Sequence, residues 1–377
     1  MELSVLAFLL VLALAFANGT NDVSKAIATL VGSGVTSYRT AIMWGTVWTI
    51  AGATASAIVA SAMVKTFSHG LIQTGTTLQP TVALAVLIGA MAWVLIASRT
   101  GLPISTTHAL TGAIVGTGLI AFAGEGLIWP AIGKKIVLPL LLSPVLAFAV
   151  SRLIHPAVRT LARKWEGACV CVMPVSRALV AIDAHGGTRT LFQTTNFSSP
   201  VMAVPSQCDR AGLQGLVVGL DTIHWLSSGL ASFARGTNDA PKIVAMLLLG
   251  SSSAVWPSES LKLAAFGGVA LAMGLGSYFG GLRVTEVLAE KVTKMNHAEG
   301  LSANLTTSTL VLVSGTLGLS VSTTHVSSSA IIGIGLLKGL KAVQWTTVRD
   351  MVLAWIVTLP AAALLACLTY LLLSRLI

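Results

Sequence analysis

Two short polar motifs, each containing an aspartate and a lysine, interrupt apolar stretches of the chain. A charged side chain at membrane depth costs about 2.5–3.5 kcal/mol on the insertion scale, so such residues are usually paired or functional. Asp and Lys three residues apart share one helical face, so each motif can neutralise its own charge. The alternative is a plain charge pair at a helix end, at the membrane interface. The shared residues are Asn21, Asp22 and Lys25, and again Asn238, Asp239 and Lys242.

A second pair of motifs reads Ser-Thr-Thr-His and precedes apolar stretches. Hydroxyl and backbone N–H groups at a helix start are donors, and the partial positive charge of a helix N-terminus suits an oxyanion. The alternative is that the hydroxyls only cap the helices. Each histidine can orient its neighbours or carry a proton, and the sequence leaves both roles open. The motifs comprise Ser105, Thr106, Thr107 and His108, and Ser322, Thr323, Thr324 and His325.

Both motif pairs repeat with one spacing. Asp22 and Asp239 are 217 residues apart, and so are His108 and His325, so the chain is an internal duplication. Many transporters consist of such repeats and bind substrate near the membrane midplane where the halves meet. The copies are not equal electrically, because Arg235 stands where the first copy has Asn18. Arg235 can add positive potential for an anion or can extend to the interface.

The elements that must position these residues are membrane helices. The chain of 377 residues is 54% hydrophobic and only 10% charged, with a mean hydropathy of +0.85, which indicates an all-α polytopic membrane protein. Gly, Thr and Asn ahead of each aspartate predict a broken helix there. The apolar segments are Leu3–Val31, Ala41–Val64, Thr81–Ala97, Pro103–Ala123, Lys135–Ile154, Leu216–Ala234, Ala240–Ala254, Leu261–Gly280, Leu301–Gly318, Val321–Leu340 and Met351–Ser374.

A polar stretch separates the two halves. The sequence predicts a first membrane repeat at 1–154, a central extramembrane loop or small subdomain at 155–215, and a second membrane repeat at 216–377. Basic residues outnumber acidic ones in the stretch, so we expect it on the cytoplasmic side of the cell membrane. Cys169–Met173 and Leu179–Ile182 resemble strands.

Several function classes are excluded by composition and motifs. The net charge of +10 fits the positive-inside rule, so no nucleic-acid partner is expected. Four cysteines cannot form a disulfide framework, and no second pair completes a metal site with Cys169 and Cys171. No Walker loop, HExxH or GxSxG motif is found, so neither ATP drive nor an enzyme is expected, and no cofactor either.

The paired Gly-x-Asn-Asp and Ser-Thr-Thr-His motifs around a polar loop resemble the inorganic phosphate transporter (PiT) family. The resemblance implies secondary active import of phosphate, with two inverted halves, re-entrant helical hairpins and a homodimer in the lipid membrane. It also implies a substrate site at Asn21, Asp22, Ser105, Thr106, Thr107, Asn238, Asp239, Ser322, Thr323 and Thr324.

One departure concerns the coupling cation. Sodium-coupled members of that family typically have Asn three residues after the Asp, whereas this chain has Lys25 and Lys242. These ammonium groups can replace a cation or attract the anion, which favours a proton over sodium.

The substrate has alternatives as well. A buried carboxylate can accept a hydrogen bond from a phosphate O–H, while sulfate offers none, so the aspartates favour phosphate. They can instead bind the coupling cation, or do both. The alternative functions are transport of another oxyanion such as sulfate, or a membrane receptor or scaffold that transports nothing.

Overall fold

The structure is a computed structural model. It describes residues 2–73, 80–165, 169–172, 174–182, 188–197, 201–203, 216–249 and 256–376. Cys208 and the end of the predicted segment Ala240–Ala254 lie outside these ranges.

The first half is helical. Its helices are α1 (Glu2–Asp22), α2 (Ser24–Gly32), α3 (Tyr38–Val59), α4 (Ser61–Ser68), α5 (Pro80–Thr100), α6 (Thr106–Ala121), α7 (Trp129–Ile132) and α8 (Leu138–Trp165), with a π-helical turn at Gly133–Val137. Residues 101–105 join α5 to α6, and these two helices pack on each other as a hairpin.

Short strands follow α8. They are β1 (Cys169–Val172), β2 (Pro174–Ile182), β3 (Thr188–Phe197), β4 (Val201–Ala203) and β5 (Leu216–Val218). β1 pairs antiparallel with β4 and β5, and β2 pairs antiparallel with β3, with a register shift after Leu179. The strand-like segments at 169–173 and 179–182 are therefore strands over the residues described.

The second half is helical again. Its helices are α9 (Leu220–Val244), α10 (Met246–Leu249), α11 (Glu259–Gly280), α12 (Leu282–Glu290), α13 (His297–Thr316), α14 (Thr323–Leu337) and α15 (Trp345–Leu376), with a 3₁₀ turn at Leu340–Ala342. Helices α13 and α14 form a hairpin that corresponds to α5 and α6.

Helices of each half pack against helices of the other half. Helix α1 packs on α11 and α9 packs on α3, while α6 packs on α15 and α14 packs on α8. Each contact between halves therefore has its equivalent in the opposite direction. The helices α1 and α9, which carry the Asn-Asp motifs, each take part in one of these contacts.

The helix does not break at the Gly-Thr-Asn sequence, so that prediction is wrong. In the first half the interruption is at Val23, after the aspartate, and in the second half α9 is continuous through Asp239. These glycines instead allow the backbone of a neighbouring helix to approach closely. A Cβ at Gly19 would lie 2.1 Å from the Met273 carbonyl oxygen, and one at Gly236 would lie 2.5 Å from that of Thr49.

The predicted segments Leu216–Ala234 and Ala240–Ala254 are likewise not two separate helices. Residues 216–218 form β5, and α9 then spans both segments up to Val244. Helix α8 also continues beyond Ile154 to Trp165, although Pro156 lies within it. Periodicity alone did not reveal the continuity of α9, because polar residues that are buried against other helices look like loop residues in a hydropathy profile. Helix α8 continues beyond the apolar segment with polar residues that are largely exposed.

The distribution of polarity is that of a membrane protein. Large apolar side chains face outward, such as Ile58 at 83% exposure and Leu153 at 79%, whereas the charged motif residues are buried. Within the described ranges, six helical stretches are long and apolar enough to cross a membrane: Val5–Gly32, Tyr38–Val59, Pro80–Thr100, Trp129–Arg163, Glu259–Gly280 and Trp345–Leu376. The chain is therefore a polytopic membrane protein with helical membrane halves.

Two glycines of α11 differ in the space that is available for an added methyl group. A Cβ at Gly276 would lie 1.9 Å from the Phe16 carbonyl oxygen, whereas one at Gly267 has nothing within 4 Å. We expect Gly276→Ala to destabilise the protein by about 1–3 kcal/mol, since α1 and α11 must separate. Gly267→Ala is the matched control and should leave stability unchanged or raise it. Thermal unfolding in detergent checks this, and equal transition temperatures would contradict the packing.

Candidate functional site

The two aspartate–lysine pairs form as predicted. Lys25 contacts the carboxylate of Asp22, and the Lys242 Nζ lies 3.4 Å from Asp239 Oδ1. All four side chains are at most 3% exposed. These are buried pairs and not interfacial ones, so each charge depends on its partner.

The two carboxylates meet through Asn18, a residue that the sequence analysis noted only for its replacement by Arg235. The Asn18 Nδ2 donates to Asp22 Oδ2 at 3.0 Å, to Asp239 Oδ2 at 3.3 Å and to Thr106 Oγ1 at 3.0 Å. One amide thus joins both repeats and the first Ser-Thr-Thr motif. Its position one helical turn before Asp22 was the available signal.

Removing the Asn18 amide should weaken the phosphate transport that the sequence resemblance implies. We expect Asn18→Ala to lower uptake by about tenfold, because two neighbouring buried carboxylates lose a shared donor, and hydrogen bonds to charged groups contribute about 1.5–3 kcal/mol. Asn304→Ala, at another buried asparagine that bonds Thr29 at 3.0 Å, is the control. Initial rates of labelled phosphate uptake at matched expression measure the effect. Equal rates in the two variants would argue against a special role for Asn18.

Each lysine ammonium lies among oxygen atoms. Lys25 Nζ donates to the Asn21 backbone oxygen at 2.9 Å, to Asn21 Oδ1 at 2.7 Å, to the Ile104 carbonyl at 3.3 Å and to the Asp22 carboxylate. Carbonyl and carboxylate oxygens are also the ligands of hard metal cations. The ammonium thus occupies a position that a small cation could fill.

The second lysine repeats part of this arrangement. Lys242 Nζ donates to the Val321 carbonyl at 3.2 Å, to Thr107 Oγ1 at 2.8 Å and to Asp239 Oδ1. Val321 is 217 residues after Ile104, so the carbonyl contact is shared by both copies. Thr107 belongs to the first repeat, and this contact therefore joins the two halves.

The two asparagines of the Asn-Asp motifs differ in their contacts. Asn21 donates to Ser98 Oγ and the Leu102 carbonyl, and its Oδ1 accepts from the Ile104 N–H, so it positions the loop before Ser105. Asn238 donates to Asp239 Oδ1 at 2.9 Å and to the Val321 carbonyl at 3.4 Å. Among the described residues, its Oδ1 has no hydrogen-bond partner.

The Ser-Thr-Thr motifs lie at helix N-termini, and their residues form different contacts. Ser105 and Ser322 cap α6 and α14 by accepting from the N–H groups of His108 and His325. Thr324 donates to the Ile104 carbonyl at 2.6 Å. The two serines therefore cap their helices, and their part in substrate binding stays a prediction. Thr106 accepts from Asn18 and Thr107 accepts from Lys242, whereas the Ile104 carbonyl that Thr324 contacts lies just before the first Ser-Thr-Thr motif. Thr323 is buried.

The two histidines lie against each other. The ring centroids of His108 and His325 are 4.6 Å apart, and His325 also packs on Trp355 at 4.2 Å. His325 Nδ1 lies 3.3 Å from the Leu140 carbonyl. Equivalent residues of the two repeats thus meet at the contact between the halves, and both the orienting role and the proton-carrying role remain predictions.

Arg235 does not extend to the interface. It is 1% exposed, and its Nη2 donates to Thr49 Oγ1 at 2.5 Å and Ser277 Oγ at 3.3 Å. The guanidinium therefore adds positive charge within the cluster. Across the part of the chain that the structure describes, no three His, Cys, Asp or Glu side chains group as metal ligands.

The chain that forms this polar cluster is similar to known proteins. A model of the phosphate transporter family matches residues 18–366, which includes both copies of each motif. The chain belongs to the phosphate transporter family. It is 28% identical to a "putative phosphate permease" of Pyrococcus horikoshii, over 96% of this chain and 95% of that protein.

Two further comparisons agree with this family. The chain is 30% identical to a "probable low-affinity inorganic phosphate transporter" of Mycobacterium tuberculosis, over 98% of this chain and 78% of that protein. A solved structure described as "the sodium-dependent phosphate transporter" matches with a TM-score of 0.75 and 24% identity, and covers all of both chains. At that identity the solved structure supports the fold alone. The resemblance to the inorganic phosphate transporter family is thereby confirmed.

Proposed function

We propose that this chain imports inorganic phosphate by symport with a cation, and that the substrate binds where the two repeats meet. The observation that carries the proposal is the junction of both Asn-Asp motifs with both Ser-Thr-Thr motifs. Asn18 bonds both carboxylates and Thr106, and Lys242 bonds Thr107 of the other repeat. Thr324 of the second Ser-Thr-Thr motif donates to the Ile104 carbonyl, which also accepts from Lys25. A transporter needs such a junction, because its site must be exposed to each side in turn.

This placement supports a mechanism of alternating access. The contacts that close the cluster run between halves, as in Lys242 with Thr107 and Thr324 with the Ile104 carbonyl. Rocking one half against the other would break one set and open the site. We take the halves to be inverted and the hairpins α5–α6 and α13–α14 to be re-entrant, with the Ser-Thr-Thr motifs at their tips. We expect a homodimer and a cytoplasmic central region.

A proton is the favoured coupling cation. The ammonium groups of Lys25 and Lys242 lie among the carbonyl and carboxylate oxygens that a sodium ion would need. Because a lysine ammonium already occupies each position, no free site is left there for a sodium ion. The assignment of the ten motif residues to substrate binding rests on the same cluster, with Ser105, Ser322 and Asn21 supporting its shape.

Transport assays with imposed gradients test the proposal. Purified protein in proteoliposomes should take up labelled phosphate when a proton gradient is imposed, and a sodium gradient should add nothing. Excess sulfate should leave uptake unchanged, since sulfate cannot donate a hydrogen bond to Asp22 or Asp239. Sodium dependence would reject the proton assignment but keep phosphate as the substrate. No phosphate uptake, or full competition by sulfate, would overturn the proposed substrate.

A further inference from the structure

Arg235 is a buried charged residue of the cluster whose hydrogen bonds are incomplete among the described residues. Its guanidinium is 1% exposed, and only Nη2 donates, to Thr49 on α3 and Ser277 on α11. Among the described residues, Nε and Nη1 have no partner. A buried charged donor left unpaired is costly, by more than the roughly 1–3 kcal/mol of a neutral group. Such an arrangement is stable when a ligand supplies the missing acceptors.

The charges around Arg235 do not supply those acceptors. Asp22 on α1 and Asp239 on α9 interact with it electrostatically, but neither forms an ion pair with it in the ranges described. Each carboxylate is engaged with its own lysine instead. The charged groups that interact with Arg235 are these two carboxylates and the Lys25 ammonium, whereas α3 and α11 present the hydroxyls of Thr49 and Ser277.

The cluster carries one positive charge in excess. Lys25 Nζ contacts four oxygen atoms and Lys242 Nζ contacts three, which uses every N–H of an ammonium. Two ammonium groups balance the two carboxylates, and the Arg235 guanidinium is left over. The first repeat has the neutral Asn18 at the equivalent position, so this excess comes from the second repeat alone.

Unpaired acceptors accompany the unpaired donors. Asn18 Oδ1 and Asn238 Oδ1 are buried and lack partners among the described residues. Asn18 precedes Asp22 by one helical turn, as Arg235 precedes Asp239, on two helices whose motifs meet. Singly charged phosphate has two unprotonated oxygens, which can accept from the three free N–H groups on Nε and Nη1 of Arg235. It also has two O–H groups, which can donate to the amide oxygens or to the carboxylates. Its single negative charge also balances the excess.

We propose that Arg235 binds the substrate directly and selects the singly charged, doubly protonated form of phosphate. This inference rests on the proposed function and names the form of phosphate that the site takes. Doubly charged phosphate would leave a buried negative charge and one acceptor unpaired. Sulfate would leave both amide oxygens unpaired, which adds to the discrimination that the aspartates provide.

The test uses Arg235→Asn, which copies Asn18 of the first repeat, and Arg235→Lys, which keeps the charge but loses the planar fork. Arg349→Ala is the control, since Arg349 is exposed and pairs with Asp350 on the surface. Kinetics of phosphate uptake are measured in proteoliposomes at several external pH values with the proton gradient held constant. We expect Arg235→Asn to raise the KM for phosphate about tenfold or more, since a hydrogen bond to a charged group is lost.

Arg235→Lys should raise the KM less than Arg235→Asn does, because a point charge replaces a bidentate donor. For the wild type, the KM for total phosphate should rise with pH as the singly charged form becomes scarce. A KM that is constant or falls with rising pH would overturn the selection of that form. If neither variant changes the KM, direct binding is overturned.

Two outcomes separate this inference from the proposed function. Wild-type protein that takes up no phosphate would refute the function itself. Wild-type uptake with unchanged KM in both variants would refute only the role of Arg235. If Arg235→Asn proves unstable in detergent, stabilisation of the Arg235→Lys variant by added phosphate, compared with wild type and Arg349→Ala, provides the readout. An equal thermal shift in all three would also overturn direct binding.

Discussion

Asp22→Asn and Asp239→Asn are each expected to reduce phosphate uptake by at least about a hundredfold. Each substitution leaves a buried ammonium without its carboxylate, and breaking a buried pair costs about 3–5 kcal/mol. Each also removes an acceptor for a phosphate O–H at the point where Asn18 joins the two repeats. Initial uptake rates at matched reconstitution, with size-exclusion profiles in detergent, measure the effect on transport separately from folding.

The chain contains a matched control for these substitutions. Glu259 and Lys262 form a pair at 2.9 Å with the same three-residue spacing, but Glu259 is 71% exposed. Exposed pairs contribute at most about 1 kcal/mol, so Glu259→Gln should leave uptake and folding unchanged. Wild-type uptake in either aspartate variant would refute the site assignment.

Replacing the lysines should change the coupling ion. We expect Lys25→Asn to reduce uptake about a hundredfold in sodium-free buffer, because Asp22 loses its buried partner. Sodium, and not potassium or choline, should restore part of the uptake by entering the oxygen cluster of Asn21, Asp22 and Ile104. Lys242→Asn should behave similarly, with less sodium stimulation since Asp239 lies farther from its lysine.

The exposed Lys262 provides the comparison for this experiment. Lys262→Asn should retain uptake and remain indifferent to sodium, because its pair with Glu259 lies at the surface. Uptake by Lys25→Asn that is unaffected in sodium-free buffer would show that the ammonium is dispensable. A loss that sodium does not restore would refute the idea that the ammonium stands in a cation position.

The sequence was sufficient to predict the repeat and the two aspartate–lysine pairs. The 217-residue spacing of two motifs required an internal duplication, and the three-residue spacing of Asp22 and Lys25 required a shared helical face. Both are local or periodic properties. The family followed from the same motifs and is confirmed by the match over residues 18–366.

Contacts between the halves were beyond the reach of the sequence. Nothing in the spacing shows that Lys242 bonds Thr107 or that Asn18 bonds Asp239, because these contacts depend on how α6 and α1 pack against α9. The predicted helix break failed for a related reason. Gly19 and Gly236 are where other backbones approach, and a close-packed glycine has the same local signature as a helix breaker.

The position of the bound substrate tests the central claim most directly. Arsenate, an analogue of phosphate with an anomalous signal, can be located in crystals of the wild-type protein. We predict one arsenate between the N-termini of α6 and α14, within hydrogen-bond distance of Arg235 and of at least one of Asp22 and Asp239, and displaced by added phosphate. Arsenate bound elsewhere with this cluster unoccupied would contradict the account.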